Sequence, residues 1–356
     1  MMPGVRENRT PGIRIWLRNI AEGIADMAQT EWVLVVDVGG TRTRLALARL
    51  VESQVTLMHE CIVNSREFAT FEKVLDYYRV QSGEHWSRMA VGVAGPVMDQ
   101  HVRVTNLPWQ LDAQYLEAQG YGSCHLFNDL EAVAWGLPAL ADDERVCLRE
   151  GEPVPGNRAV IAAGTGLGEA GIYADERGWH PFSTEGGHAT FAPRDEREVA
   201  LWRELSVRYG VVSWERVVSG TALPELYRFL CRYRQAETPA WLKEGLQHPE
   251  PAACLTEAAL SGRDVVCIEL LSWFASLYGA EAGNLALKLM SRGGVYLAGG
   301  IAPKILPFLR SKEFMSAFLD KGRMRPLLER MPVWVVMTDR VALYGLALAL
   351  HQAANC

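Results

Sequence analysis

Two glycine-rich turns, each at the end of a hydrophobic run, contain the residue types that hold a polyphosphate. The first reads Asp37-Val38-Gly39-Gly40-Thr41, and the second reads Gly164-Thr165-Gly166-Leu167-Gly168. Glycine tolerates backbone conformations that point several amides at one anion. One such turn is also typical of an ordinary hairpin. Two of them, in separate halves of the chain and each with a threonine beside a glycine, indicate amides that face phosphate oxygens from two sides.

Between the turns, a carboxylate follows another hydrophobic run, in Leu126-Phe127-Asn128-Asp129. A carboxylate in this position would accept the proton of a hydroxyl group that attacks phosphorus, so the pattern favours phosphoryl transfer. The alternative is structural, because Asn128 or Asp129 would also cap a helix that begins at Leu130, a role worth about 1 kcal/mol.

Asp37 ends the first strand, directly before its glycine turn. Its carboxylate would hold Mg²⁺ through water, because magnesium keeps several waters and takes only one or two protein carboxylates. The alternative is an aspartate that shapes the turn and binds nothing. The turn is not a Walker loop, since no Gly-Lys-Ser/Thr follows it.

A further polar pair lies in Glu185-Gly186-Gly187-His188. The two glycines make a poor helix, and no second histidine or carboxylate stands at helical spacing, so metal binding is disfavoured. A carboxylate that accepts and an imidazole that donates or accepts suit the neighbouring hydroxyls of a polyol. The alternative is a loop glutamate beside a core histidine.

The composition is that of a soluble globular protein, with 49% hydrophobic and 22% charged residues. A length of 356 residues favours two domains. A net charge of −6 without a concentrated Lys/Arg stripe gives no support for a nucleic-acid partner. The chain is expected to have no membrane span, because its nearest approach, Val341 to Leu350, is shorter than the roughly 20 apolar residues required.

The seven cysteines are scattered, odd in number and never spaced C-x-x-C. This pattern disfavours disulfides and zinc and favours a reducing, cytoplasmic location. The first 30 residues contain Arg6, Arg14 and Arg18 without a continuous apolar run. They are not a secretory signal. They are either a weakly amphipathic extension or sequence upstream of a start at Met27, and no function is assigned to them.

Strands that alternate with helices predict an α/β protein. Helices are expected over Phe68–Tyr78, Glu196–Tyr209 and Asp264–Met290, the last of them buried. A strand from Gly294 leads into a third glycine turn at Gly299-Gly300. Asp142–Asn157 is expected to be a surface connection and Gln235–Pro251 an irregular insertion, because both are rich in polar residues and proline.

Together these motifs closely resemble the bacterial-type glucokinase family, part of the sugar-kinase, actin and Hsp70 superfamily. The resemblance runs in the expected order through Asp37–Thr41, Val93–Pro96, Thr105–Trp109, Phe127–Asp129, Gly164–Gly168, Glu185–His188, Glu215–Gly220 and Leu297–Gly300. Arg42 stands where asparagine is usual, Gly95 where cysteine is frequent, and Ser183-Thr184 where Pro-Gly is common. The related kinase/repressor (ROK) group usually carries a cysteine-rich zinc motif that this sequence does not have.

The resemblance implies a two-domain, actin-like (ribonuclease H-like) ATPase fold with an interdomain cleft, and commonly a homodimer. The small domain would span 31–138 and be completed by about 336–356, and the large domain would span 139–335. The implied reaction is ATP-dependent phosphorylation of D-glucose to glucose 6-phosphate, with ATP and Mg²⁺ as cofactors. Alternatives are a kinase for another hexose and a non-catalytic sugar-sensing protein.

The resemblance also assigns roles to residues. Asp129 would be the catalytic base, and Asp37 would hold Mg²⁺ through water. The hexose would be bound by Asn106, Asn128, Asp129, Glu185, His188 and Glu215. The nucleotide would be contacted by Asp37, Gly39, Gly40, Thr41, Gly164, Thr165, Gly166, Gly299 and Gly300.

Overall fold

The computed structural model describes residues 32–51, 54–152 and 154–353. They form two compact units. Unit 1 takes 32–142, 171–183 and 338–353, and unit 2 takes 143–170 and 184–337. The proposed extension over residues 1–30, and Cys356, lie outside the described residues.

The strands of the described chain are β1 (Val33–Val38), β2 (Arg42–Val51), β3 (Gln54–Asn64), β4 (Arg88–Val93), β5 (His101–Arg103), β6 (Gln110–Asp112), β7 (Ser123–Asn128), β8 (Arg145–Arg149), β9 (Arg158–Ala163), β10 (Leu167–Asp175), β11 (Gly178–Thr184), β12 (Gly294–Ala298) and β13 (Val333–Val336). The α-helices are α1 (Phe71–Ser82), α2 (Ala113–Ala118), α3 (Asp129–Gly136), α4 (Glu196–Tyr209), α5 (Leu223–Arg234), α6 (Ala240–Gly245), α7 (Pro251–Leu260), α8 (Val265–Leu289), α9 (Leu306–Leu309), α10 (Lys312–Leu319), α11 (Arg325–Leu328) and α12 (Val341–Ala353).

Unit 1 is built on a five-stranded sheet in the order β3-β2-β1-β4-β7. β1 is antiparallel to β2 and parallel to β4, and β4 is parallel to β7. The sequence explains this arrangement, because β1 and β4 are nearly continuous runs of buried aliphatic residues, as expected of strands covered on both faces. α1 and α2 supply buried residues to the cluster that covers one face, and α3 and α12 to the cluster that covers the other.

Helix α3 is held against α12 by glycines that allow the two backbones to approach closely. A Cβ atom at Gly345 of α12 would overlap the carbonyl oxygen of Ala132. A Cβ atom at Gly136 of α3 would likewise overlap the carbonyl oxygen of Val341. Since Asp129 is the first residue of α3, this contact helps to fix the position of the candidate base.

Unit 2 contains β8, β9, β12 and β13 of a sheet ordered β11-β10-β9-β12-β13-β8. β12 is parallel to both β9 and β13, whereas β8 is antiparallel to β13. Helix α8 lies in the core beside β9, and the hydroxyl of its buried Tyr278 donates to the carbonyl of Ile161 at 3.0 Å. This contact fixes the end of β9, which leads into the second glycine turn.

Several expectations from the sequence are confirmed and others are wrong. Helix α4 has the predicted bounds, and α8 lies one residue inside its prediction at each end. The helix expected from Phe68 begins at Phe71 and continues to Ser82. The presumed surface connection 142–157 contains strand β8, which pairs with β13. The presumed irregular insertion 235–251 contains helix α6.

The expectation that Val341 to Leu350 is the nearest approach to the length of a membrane span is also wrong. By length and composition alone, the 25-residue helix α8 is long and apolar enough to cross a membrane. Most of its apolar stretch is buried inside the protein, where it packs with α10, α7 and α5. A buried core helix passes the same test of length and composition.

Two acidic side chains are buried together beneath the Glu185–His188 loop. Glu169 of β10 is 1% exposed, and Glu281 of α8 is fully buried. A Cβ atom at Gly186 would overlap the Glu169 carboxyl group, so this group lies directly against the backbone of the loop. Burial, then the neighbouring charge of Glu281, raises the pKa of Glu169 to about 8. Glu169 is therefore mostly protonated at neutral pH.

We predict that Gly345→Ala destabilises the protein by roughly 1–3 kcal/mol, because α12 must move away from α3 to admit the methyl group. Urea unfolding of the purified variant measures this change. Gly92→Ala is a matched control in the same unit, because its Cβ atom would lie at ordinary contact distance, 3.4 Å from that of Ala132. Equal losses of stability in the two variants would contradict the account.

We predict that Glu169→Gln becomes more stable relative to the natural protein as the pH rises. Burial raises the folded-state pKa of Glu169 from 4.5 to about 8. Between these two pH values the unfolded chain loses the Glu169 proton while the folded protein keeps it, so a rising pH destabilises the natural protein. The variant has no such proton and is unaffected. Urea unfolding at pH 5, 7 and 9 measures the difference in free energy of unfolding. A difference that does not change with pH would show that Glu169 is already ionised at pH 5.

Candidate active site

In unit 1, the strand register brings the candidate groups to one edge of the sheet. Val38 of β1 pairs with Val93 of β4, which pairs with Asn128 of β7. The three strands are parallel, so their carboxyl ends lie side by side, as in other open α/β sheets that bind ligands at this edge. The structure thus places Asp37, the first glycine turn and Asp129 at the same edge.

Asn128, and not Asp129, is the N-cap of helix α3. Its side-chain oxygen accepts hydrogen bonds from the amides of Leu130 at 3.0 Å and Glu131 at 3.3 Å. Its amide nitrogen donates to the carbonyl of Gly95 at 3.2 Å. Asp129 is the first residue of the helix, and its Oδ1 accepts from the amide of Leu130 at 2.9 Å. The capping alternative therefore applies to Asn128, whose side chain retains one N–H for a ligand.

Two hydrogen bonds from Ser65, a residue that was not predicted from the sequence, hold the backbone of the first glycine turn. The Ser65 hydroxyl donates to the carbonyl of Gly39 at 2.8 Å, and its amide donates to the carbonyl of Thr41 at 3.0 Å. Ser65 is fully buried. A Cβ atom at Gly40 would lie 3.4 Å from that of Asn106, so the predicted hexose ligand Asn106 lies next to the turn. Asn106 itself is exposed, with a left-handed φ of 65°.

Asp37 lies near one positive group, Arg44, and one negative group, Asp339. Burial raises its pKa to about 6, against the opposing effect of Arg44 and with a further increase from Asp339. Arg44 stands opposite Asp37 in the β1–β2 ladder and forms an ion pair with Asp339. The Asp37 carboxyl group is therefore ionised for the most part above pH 7, as a ligand for a cation must be.

In unit 2, the second glycine turn and the third glycine turn lie next to each other. β9 and β12 are parallel, with Ala298 paired to Ala162. Gly299 has a φ of 80°, and a Cβ atom there would lie 2.6 Å from the carbonyl oxygen of Ala163. Gly164, Thr165 and Gly300 leave their strands at this same edge. The predicted nucleotide residues of unit 2 are thus brought together.

Glu185 and His188 project from a short 3₁₀ turn with their side chains 63% and 62% exposed. Glu185 Oε2 lies 3.8 Å from His188 Nε2. This exposure rules out the alternative of a core histidine. The loop is joined to the segment of Glu215, because the amide of Trp214 donates to the carbonyl of Ala189 at 3.0 Å. Glu185, His188 and Glu215 therefore belong to one region of unit 2.

Glu215 has an unexpected partner. Its Oε2 accepts a hydrogen bond from the amide of Leu167, the residue that follows Gly166, at 3.0 Å. The residue predicted to bind hexose thus contacts the second glycine turn directly.

A cavity of about 980 Å³ in unit 2 opens beside this turn. Its lining includes Gly164, Thr165, Gly220, Thr221, residues 249–253, Thr256, Glu257, Leu260, Lys304 and Ile305. The volume is at the upper end of the range for ligand pockets. One wall of the cavity was not predicted from the sequence, because Pro249–Pro251 was assigned to an irregular insertion. Lys304 could have been found, since it follows Gly299-Gly300 by only four residues.

The residues at the first glycine turn fit a magnesium ion. Asp37 offers one carboxylate, and the described chain contains no cluster of three or more His, Cys, Asp or Glu side chains that could hold a metal. A single carboxylate suits an ion that takes its other ligands from phosphate and water.

Comparison with known proteins identifies relatives over nearly the whole chain. A sequence model of the glucokinase family matches residues 34–353. The glucokinase of Nostoc punctiforme is 38% identical over 333 residues, which cover 89% of this chain and 98% of that protein. The glucokinase of Chromobacterium violaceum is 39% identical over 328 residues, which cover 90% of each chain.

A solved structure agrees with these relatives. The crystal structure of a glucokinase from an Antarctic psychrotroph has a TM-score of 0.78 at 28% identity, and the match covers 91% of this chain and 100% of that one. This likeness confirms the expected α/β, two-domain actin-like ATPase fold. The chain belongs to the glucokinase family.

Proposed function

We propose that this protein transfers the γ-phosphoryl group of ATP to the 6-hydroxyl of D-glucose, giving ADP and glucose 6-phosphate. The observation that carries this proposal is the position of Asp129, at the same sheet edge as the first glycine turn and directly after Asn128, the N-cap of helix α3. The names of the relatives support glucose as the acceptor.

In the proposed reaction, Asp129 accepts the proton of the 6-hydroxyl. The hydroxyl oxygen forms a bond to the γ-phosphorus while the bond from that phosphorus to the ADP oxygen breaks. General-base assistance of this kind contributes roughly 10²–10⁴-fold to a rate. The remaining acceleration comes from positioning and electrostatics, because phosphoryl transfer requires little covalent chemistry from the protein.

The glycine turns are proposed to hold the phosphates. The amides of Gly40, Thr41, Thr165 and Gly166 would supply fixed partial positive charges toward phosphate oxygens, while those of Gly39 and Gly164 donate within their own turns. Asp37 would hold Mg²⁺ through water, and the ion would neutralise charge on the phosphoryl oxygens. The cavity beside Thr165 would take the adenosine, with Gly299 and Gly300 at the same edge.

The hexose is proposed to be bound by Asn106, Asn128, Asp129, Glu185, His188 and Glu215. Glu185 and Glu215 would accept hydrogen bonds from sugar hydroxyls, and Asn128 would donate its remaining N–H. The exposure of Glu185 and His188 supports this role, because neither side chain is buried in the core of unit 2.

We further propose that the protein is a cytoplasmic homodimer. The family resemblance supports both properties, and the scattered cysteines support a reducing compartment.

We predict that Asp129→Asn lowers kcat by roughly 10²–10⁴-fold with little effect on stability, because the cap residue Asn128 is unchanged. A coupled assay and urea unfolding measure the two effects. Asp112→Asn is the matched control, because Asp112 caps α2 through the amide of Tyr115 and asparagine caps equally well. Full activity of Asp129→Asn would exclude Asp129 as the base.

We predict that the purified protein with ATP and Mg²⁺ has its highest kcat/KM for glucose in a panel that includes mannose and amino sugars. A coupled assay of ADP formation measures these values. A higher value for another hexose would change the substrate assignment. Sugar binding by calorimetry without turnover of any hexose would instead favour a sensing protein.

A further inference from the structure

The carboxylate of Glu215 lies against the second glycine turn. Its Oε2 accepts from the amide of Leu167 at 3.0 Å. A Cβ atom at Gly166 would overlap this same oxygen, so glycine is required for the carboxylate to approach the turn. The other carboxylate oxygen, Oε1, has no hydrogen-bond partner within the ranges that the structure describes. One oxygen of Glu215 thus binds the turn while the other remains available to a ligand.

The residues that follow Glu215 bind the other side of the turn. The amide of Gly220 donates to the carbonyl of Gly164 at 2.8 Å, and the Thr221 hydroxyl donates to the carbonyl of Thr165 at 3.1 Å. The Ser219 hydroxyl donates to the carbonyl of Glu215 at 2.7 Å and so keeps this segment in place. The turn is therefore fixed on two sides by residues 215–221.

The same segment is joined to the hexose loop. Trp214, which is 3% exposed, packs edge-on against Phe191 with ring centroids 4.9 Å apart. The amide of Phe191 donates to the carbonyl of Val212 at 2.9 Å. Glu215 thus directly follows a buried residue, which fixes the backbone of Glu215 beside the turn.

We propose that Glu215 is a positioning residue for the nucleotide phosphates in addition to its role in binding hexose. Its Oε2 orders the turn Gly164–Gly166, and its Oε1 accepts a hydrogen bond from the sugar. Glycine loses more conformational freedom than other residues when it is fixed, so a turn with two glycines needs such an anchor before phosphate arrives. The inference rests on the proposed function, which assigns phosphate to this turn.

The hydrogen bond and the negative charge of Glu215 have opposite expected effects on nucleotide binding. A carboxylate beside a phosphate site repels the phosphate, so removal of charge alone would strengthen nucleotide binding. Glutamine removes the charge and still accepts from the Leu167 amide through its carbonyl oxygen. Alanine removes the charge and the acceptor, and aspartate keeps the charge but is one methylene shorter. The three variants therefore separate the two effects.

The test is calorimetric titration of the full-length protein with MgADP in the absence of hexose. Glu215→Ala is expected to raise the Kd for MgADP roughly tenfold, as for loss of a hydrogen bond to a charged group. Glu215→Gln is expected to stay within about threefold of the natural protein, since it preserves the bond to Leu167. Glu196→Ala is the matched control, because Glu196 is exposed in the first turn of helix α4 and has no part in the proposed site, so the MgADP affinity is expected to stay unchanged.

Should Glu215→Ala fail to fold, Glu215→Asp takes its place, with a weaker MgADP affinity expected. An unchanged or tighter affinity in the alanine or aspartate variant would overturn the inference, as would a natural protein that does not bind MgADP. Failure of the proposed function is a separate result: a natural protein that binds MgADP but phosphorylates no hexose.

Discussion

The hydrogen bonds by which Asn128 caps helix α3 are the constraint on which the account depends. Both bonds to the amides of Leu130 and Glu131 come from one side-chain oxygen, and the amide nitrogen is held by Gly95. Asn128 thus accepts from two of the amides that the start of the helix leaves without an intrahelical partner, and Asp129 Oδ1 also accepts from that of Leu130. The cap places Asp129 at the start of the helix, and the contact of α12 with α3 keeps the helix in place.

In unit 2, a carboxylate side chain holds a glycine turn. One oxygen of the Glu215 carboxylate accepts from the turn amide of Leu167, and the other is proposed to bind hexose. Beneath the adjoining loop, Glu169 is kept mostly neutral by burial and by Glu281. An ionised acid would be costly there without partners, so burial favours the neutral form of Glu169.

The sequence predicted the strand-to-turn motifs because glycine turns after aliphatic strands are local signals. It did not assign the cap to Asn128 or Asp129, because that choice depends on the orientation of one side chain. It missed Ser65, Lys304 and the cavity wall at Pro249–Pro251, since their roles arise from contacts between distant segments. It also did not predict strand β8, because that strand is defined by its pairing with β13 near the end of the chain.

The most direct measurement is a crystal structure of the protein with glucose and a non-hydrolysable ATP analogue. The account predicts a carboxylate oxygen of Asp129 within about 2.6–3.2 Å of the glucose 6-hydroxyl, with the terminal phosphate on the far side of that hydroxyl. A 6-hydroxyl bound by another group, with Asp129 directed away from the sugar, would contradict it.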